Sequence, residues 1–458
     1  MEPQVAAHPP TTRRPTRVGA VLSTHPHDGG GHQYATTVLG SLGQLTDGPD
    51  LSLLVTGEAE PDPDVAACFG PALRFGEAVE VAAAGPGAPG ALGALARRVV
   101  GEGRLRDALR GARRRLRRPE RLDPDRVCWR PAETAWLDDQ GLDWTFHTTS
   151  TALAFEAGRP FVVPIHDLQH RLQPHFPEVS AGGEWAWREY LFRNLTRYAT
   201  LILVDSEVGR EDALEFYGPF GLHEDRVKVL PFRPPSYLDP APGAAARARV
   251  RLAFGLPERY LFYPAQFWPH KNHLRLVQAL AVLRGRGEEV HVVLCGAHTG
   301  AHREQAFARV MEETARSGVS AQVHVLGYVA NSDMSALYAE AAGVVMPTFF
   351  GPTNIPVIEA WAFGKPVLTS DIRGVREQVG AAGLLVDPAS VEALADGVQR
   401  LWTDAALGAG LVARGHARLA ERSPAAFDRS IAAVVAEADE RVRAGDAPLS
   451  RPASAPLR

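Results

Sequence analysis

The sequence predicts an α/β protein made of two Rossmann-like, doubly wound domains that face each other across a cleft. Three observations carry this expectation. Short apolar or β-branched runs alternate with longer helical patterns along most of the chain. The runs are apolar throughout, which is the pattern of parallel strands covered by helices on both faces. The alternation is interrupted once, by a proline-rich stretch at 232–246, and then restarts, as expected for two domains joined by a linker. A chain of 458 residues, 45% of them hydrophobic, has ample material for a core in each.

Taken in order, residues 1–16 are polar, proline-rich and aperiodic and read as a disordered tail. The first domain, 17–231, has strand-like runs at Arg17–Thr24, Leu51–Gly57, Trp144–Thr148, Phe161–Asp167, Thr200–Ser206 and Arg226–Pro231, with helical patterns such as Gln33–Leu45 and Glu184–Tyr198 between them. After the linker, the domain at 247–420 has runs at Tyr260–Gln266, Val290–Gly296, Val323–Val329, Gly343–Thr348, Pro366–Asp371 and Gly383–Asp387. Residues 421–444 are expected to form a helix packing back towards the first domain, and 445–458 a second disordered tail. One segment breaks the alternation: Arg97–Arg121 holds eleven arginines in 25 residues, with Val99, Val100, Leu105, Leu109 and Leu116 roughly on one helical face. It reads either as a solvated amphipathic helix or as a peripheral contact with an anionic membrane surface.

The 49 basic and 53 acidic side chains leave a formal charge of -4, so no overall field exists to hold nucleic acid, and any anion site must be local. Only three of the basic residues are lysines, Lys228, Lys271 and Lys365. Cys68, Cys128 and Cys295 lie far apart, without the spacing of a zinc or redox motif or of a disulfide framework, which suits a reducing cytoplasm. The start of the chain reads as a strand without an export segment, and no stretch reads as a membrane span. No His/Cys spacing suggests a metal site.

Ligands of doubly wound sheets bind at the carboxyl ends of the strands, which here means the cleft between the domains. Residues 347–388 hold the strongest local pattern. After the strand ending at Thr348, a Gly-Pro loop leads to a helix that Thr353 or Asn354 is placed to cap, with Pro356 tolerable in its first turn. Free N–H groups and the dipole at such a helix start suit a phosphate. Glu359 follows a turn later among Val357, Ile358, Ala360 and Trp361, where a carboxylate needs partners: ribose hydroxyls or a local side chain.

This stretch, P-V-I-E-A-W-A-F-G-K-P-V-L-T-S-D-I-R-G-V-R-E followed by G-L-L-V-D-P, resembles the nucleotide-sugar-binding segment of the retaining glycosyltransferases of family four, which have the GT-B fold of two facing Rossmann-like domains. The resemblance implies that Glu359 holds the nucleotide ribose and that the backbone of Pro352, Thr353, Asn354 and Ile355 lines the donor site. The family's preceding Glu, a contact of the transferred sugar, falls on Gly351. A second match, Q-F-W-P-H-K-N-H, puts Lys271 on the lysine that meets the donor diphosphate, while the family arginine is replaced by Gln266. His270, His273, Arg373 and Arg376 are candidates to compensate for that arginine, and Asn272 reads as a helix cap.

In the first domain, H-P-H-D-G-G-G-H-Q after the first strand is a glycine-rich turn opening a helix. It lacks the G-x-G-x-x-G spacing and the later acidic residue of a dinucleotide site, which argues against a dehydrogenase. It resembles the family loop facing the donor, making Gly29, Gly30 and Gly31 candidate contacts. Strand Phe161–Ile165 delivers H-D-L-Q-H. By the resemblance His166 points at the transferred sugar, and Asp167 and His170 orient it or touch the acceptor.

The sequence therefore leads to the expectation of a metal-independent, hexosyltransferase-like enzyme moving a sugar from a nucleoside diphosphate sugar to a natural product, glycan or lipid-linked sugar, with no cofactor beyond that co-substrate. The alternatives are a sugar-nucleotide-binding subunit without catalysis, and another GT-B enzyme such as a sugar-nucleotide epimerase. By the resemblance 17–231 is the acceptor-side domain, with residues 70–140 and their arginine segment on that side, and 247–420 binds the nucleotide sugar; the oligomeric state and the identity of the acceptor are not legible.

Overall fold

The computed structural model describes residues 14–25, 29–57, 59–75 and 122–450. The Arg97–Arg121 segment, most of each expected tail and the turn Pro26–Asp28 lie outside them.

The described residues form two parallel sheets. The first has seven strands, β1 (Arg17–Leu22), β2 (Asp50–Thr56), β3 (Leu73–Phe75), β4 (Trp144–His147), β5 (Phe161–Pro164), β6 (Leu201–Val204) and β7 (Val227–Val229), in the order β3-β2-β1-β4-β5-β6-β7. The second has six, β8 (Leu261–Pro264), β9 (Val292–Cys295), β10 (Val323–Gly327), β11 (Gly343–Met346), β12 (Val367–Ser370) and β13 (Leu384–Val386), in the order β10-β9-β8-β11-β12-β13. In both sheets strand order reverses beside the first strand of the domain, the switch point at which doubly wound sheets open a crevice for ligand.

The physical cause of the layout is the continuous apolarity of the strands. β4, β5, β6, β9, β11 and β12 are buried over their whole length, which parallel strands achieve when crossover helices cover both faces. Each fully buried side chain of the type of Phe146, Phe262 or Leu294 contributes about 1.5–3 kcal/mol relative to exposure. β3 is an addition to the sequence expectation: its three residues, Leu-Arg-Phe, are too few and too exposed to leave a periodic signal. Apart from β2, the strands are also shorter than the apolar runs, because several runs continue into the loops at the strands' carboxyl ends.

The helix Pro424–Ala444 returns to the first domain. Phe427, Ile431, Val434, Val435 and Ala438 are buried along one face, spaced as an apolar stripe requires. Its polar anchors reach residues distant in sequence. Trp144 Nε1 donates to Asp439 at 3.3 Å, Arg441 pairs with Asp225 at 3.0 Å, and Lys228 pairs with Glu437 at 2.8 Å, a structural role for a lysine whose sequence context suggests none.

A polar seam joins the domains beside the cleft. The carboxylate of Glu377 accepts from the backbone N–H groups of Glu207 and Val208 at 2.9 and 2.8 Å, which places an anion at the start of the helix Glu207–Tyr217. Arg373 bridges Glu211 and Asp212, and Thr353 donates to Asp205. Gly374 is required here, since a Cβ on it would lie 2.3 Å from Pro352 Cα.

Candidate active site

The carboxyl ends of both sheets meet at the cleft. From the first domain, the turn after β1 brings Gly29 and Gly30 onto the second: a Cβ on Gly29 would be 3.1 Å from Gln266 Nε2, and one on Gly30 would be 3.5 Å from Ile355 Cδ1. Gly29 has φ +67, a conformation that favours glycine. Gly31 faces open space. The glycine loop, Gln266 and the start of the helix Ile355–Ala362 therefore form one locus.

That helix start differs from the expected cap. Asn354 is the N-cap residue, but neither it nor Thr353 caps with its side chain. The Thr353 hydroxyl goes to Asp205 instead, and the Asn354 backbone N–H donates to Gln378 at 2.9 Å. Asn354 Nδ2 is buried without a hydrogen-bond partner. Gly351 has φ +105, and a Cβ there would sit 2.9 Å from Thr353 O. The loop in this conformation excludes a side chain where the resemblance places a sugar-binding carboxylate.

Glu359, 2% exposed, accepts hydrogen bonds from the hydroxyls of Tyr338 and of Tyr237 at 3.2 Å. Burial pushes its carboxyl up to about 7 against those two phenols. Tyr237, in the linker, also accepts from Gln33 Nε2 of the first domain at 2.7 Å, so Glu359 ends a chain of contacts that crosses the cleft.

Lys271 closes a short 3-10 turn, Pro269–Lys271. Burial draws its ammonium down to about 8, against the attraction of Asp167. Among the described residues it has no ion-pair partner, although Tyr263 donates to its carbonyl at 2.6 Å. His166 packs edge-on to Tyr34 with 4.5 Å between ring centroids, and beside Phe232. Burial lowers it to about 4, so it is neutral near pH 7, and its Nε2 is buried without a partner. Asp167 is held by Arg188 at 3.0 Å. Burial raises its carboxyl, but Arg188 and the Gln169 N–H outweigh that and keep it low.

Several expected residues stand elsewhere. His170 is fully buried, bonded through Nε2 to Glu189 at 2.9 Å and Tyr217 at 3.2 Å and stacked on Phe192. This embeds it in the domain core and corrects the expectation that it orients His166 or touches an acceptor. Asn272 does not cap with its side chain: at φ 62 it donates to the carbonyls of Pro347 and Pro388 at 2.9 and 2.8 Å. The four candidates to replace the missing arginine are engaged. His273 is stacked between Tyr263 and Phe267, His270 is bonded to Glu178 at 2.7 Å, Arg373 lies in the seam, and Arg376 pairs with Asp371.

The guanidinium beside Gln266 is Arg303, whose Nη1 donates to Gln266 Oε1 at 2.9 Å and which lies 4.6 Å over Trp268. No local pattern marks it: it opens an amphipathic helix 37 residues away from Gln266.

Residues 258–404 match the family model described as glycosyl transferases group 1. Among curated proteins, the chain is 26% identical to O-antigen chain mannosyltransferase B of Escherichia coli over 267 residues, 58% of this chain and 66% of that protein. It is 34% identical to D-inositol 3-phosphate glycosyltransferase of Salinispora arenicola over 192 residues, 39% of this chain and 42% of that one. The chain thus spans just under two thirds of the first of these relatives and less than half of the second. Among solved structures, Anabaena HepE in complex with UDP-glucose superposes with a TM-score of 0.63 at 18% identity, over 92% of this chain and 99% of that one, a likeness of fold. The second domain therefore matches the group 1 glycosyl transferase model over residues 258–404, and the two facing parallel sheets have the GT-B fold.

Proposed function

We propose that this protein transfers a hexosyl unit from a nucleoside diphosphate sugar to a hydroxyl or amine of an acceptor such as a natural product, glycan or lipid-linked sugar, with retention at the anomeric carbon and without a resident metal. The observation that carries the reading is the meeting of the Gly29–Gly30 turn with Gln266 and with the uncapped start of helix Ile355–Ala362, while Lys271, five residues after Gln266, has no ion-pair partner among the described residues. Such a locus suits a diphosphate: a compact cation, a helix dipole and glycines that let backbone approach.

In this reading Glu359 receives the ribose, one hydroxyl taking the place of the longer Tyr237 bond. Lys271 and the helix start stabilise the diphosphate as the bond between its oxygen and the anomeric carbon breaks. The acceptor oxygen or nitrogen bonds to that carbon from the same face, and its proton passes to the departing diphosphate. Neutral His166 positions the sugar and does not serve as base. The protein works in the cytoplasm, at most peripheral to a membrane.

A thermal-shift panel of UDP-, GDP-, ADP- and dTDP-sugars tests the donor, since a ligand of the folded state raises stability by mass action. Nucleotide release that requires an acceptor and survives chelation tests the rest. Gly351 favours a second reading, a sugar-nucleotide-binding subunit without catalysis; donor binding with no turnover under any acceptor would support it. Turnover of donor alone would indicate an epimerase-like activity.

A further inference from the structure

Between the two domains lies an open cavity of about 260 Å³, lined by Pro177–Glu178 and Ala181–Glu184, by Trp187, and across the interface by Trp268 and His302. One lining residue, Glu178, is an incompletely satisfied carboxylate. The Glu178 side chain is only 5% exposed. Its Oε1 accepts from both Nδ1 and the backbone N–H of His270, at 2.7 and 3.1 Å, while Oε2 is buried without a hydrogen-bond partner. A carboxylate oxygen so placed costs stability until a donor reaches it. Burial raises this carboxyl, but the His270 hydrogen bonds outweigh it and keep it ionised near neutral pH. Burial also holds His270 itself down to about 4, so the pair retains a negative charge.

The bordering cations are already held. Arg188 bridges Asp167 and Glu184 at 3.0 and 3.4 Å, and Arg303 lies on Gln266 and Trp268. The walls are otherwise two indoles, His302, a glycine-rich turn and the Glu184 carboxylate that Arg188 already holds. A concave site with aromatic walls and one convergent acceptor suits a flat-faced ligand with polar donors on its rim. The chain links the cavity to the proposed diphosphate position: Trp268 lines it three residues before Lys271, and Glu178 is bonded to His270, the residue before Lys271.

We propose that this cavity is the acceptor subsite and holds a saccharide or cyclitol ring, one of whose hydroxyl or ammonium groups donates to Glu178 Oε2 while its apolar face lies against Trp187. The assignment rests on the glycosyl-transfer reading above. It gives the first-domain segment 177–187 the task of selecting acceptors.

Saturation-transfer NMR on the full chain, with methyl glucoside, glucosamine and myo-inositol as probes, tests it, with the nucleotide-sugar thermal shift measured in parallel. Glu178→Gln keeps an acceptor for His270 and puts an amide N–H where Oε2 stands. At least one ring is expected to bind the wild type and to lose tenfold or more in affinity in both Glu178→Gln and Trp187→Ala, with the nucleotide-sugar shift retained in both. A preference for glucosamine over methyl glucoside would identify the donor group as ammonium, and the reverse as hydroxyl. If no ring binds, or if binding is the same in both variants, the assignment is overturned. If no nucleotide sugar shifts the wild type, it is the glycosyl-transfer reading that fails, whatever the rings do.

Discussion

The seam and the cleft are built from the same kinds of residue on the same two domains, and they differ in whether those groups are satisfied. In the seam, Arg373 meets two carboxylates, Glu377 meets two helix-start N–H groups and Thr353 meets Asp205. In the cleft, Lys271 lacks an ion-pair partner among the described residues, and His166 Nε2, Asn354 Nδ2 and Glu178 Oε2 are buried without hydrogen bonds. Hydrogen-bonding capacity held back in this way lowers the stability of the empty protein and is recovered only on binding. The contrast is one of degree, since Glu359 and Asp167 in the cleft are themselves partnered.

Lys271→Ala should break the contrast most strongly. Loss of hydrogen bonds to a charged group, about 1.5–3 kcal/mol, predicts roughly a hundredfold weaker nucleotide-sugar binding by calorimetry, with the melting temperature at pH 7 unchanged or higher. The sign follows from the lysine being drawn down to about 8 by burial. The folded state binds fewer protons than the unfolded one between about 8 and the ordinary lysine value, so this group destabilises below about pH 8 and ceases to as pH rises. Donor affinity should fall as pH rises through about 8. A variant that binds donor normally would remove Lys271 from the site.

Glu359→Gln should cost tenfold or more in donor affinity, and it carries the opposite pH signature. Glu359 and Asp205 are both pushed up to about 7 by burial. Stability associated with a raised carboxyl is complete below its ordinary value and is lost as pH rises through the folded one. Wild-type melting temperature should therefore decline from about pH 5 to pH 8, and Glu359→Gln or Asp205→Asn should each flatten part of the decline by a few degrees. A flat wild-type profile would show that neither carboxyl is perturbed as described.

On the seam, Glu377→Ala removes the anion from a helix start, a change of about 0.5–2 kcal/mol. It should lower the melting temperature by a few degrees and raise KM more than it lowers kcat. A fall in kcat alone would place Glu377 in the chemistry.

How much of this was legible in the sequence follows from locality. All twelve apolar runs contain strands, because a parallel strand buried on both faces writes its burial into consecutive residues. Their ends ran long where apolar residues continue into site loops, as at Phe161–Asp167, whose strand ends at Pro164. Lys271, Gln266, Glu359 and the glycine turn stood out because each sits at a strand end or helix start. Tyr237 and Tyr338 on Glu359, Arg303 on Gln266 and Glu178 on His270 did not, since each partner comes from another segment of the chain and carries no local pattern of its own. His170 misled because a histidine two turns of sequence past a strand end looks the same whether it faces the cleft or the core.

The smallest expected effect sharpens the comparison from the other side. Arg376 lies in the motif helix and was a sequence candidate for the missing donor arginine, yet its guanidinium is exposed and, among the described residues, paired only with Asp371, an arrangement that salt and water screen. Arg303, by contrast, reaches the side chain that replaces that arginine. Arg376→Ala should leave the melting temperature and donor affinity unchanged within error, while Arg303→Ala weakens donor binding severalfold. Equal losses in both would mean that charge near the cleft acts as a diffuse field, and the distinction between satisfied and unsatisfied groups would no longer locate the site.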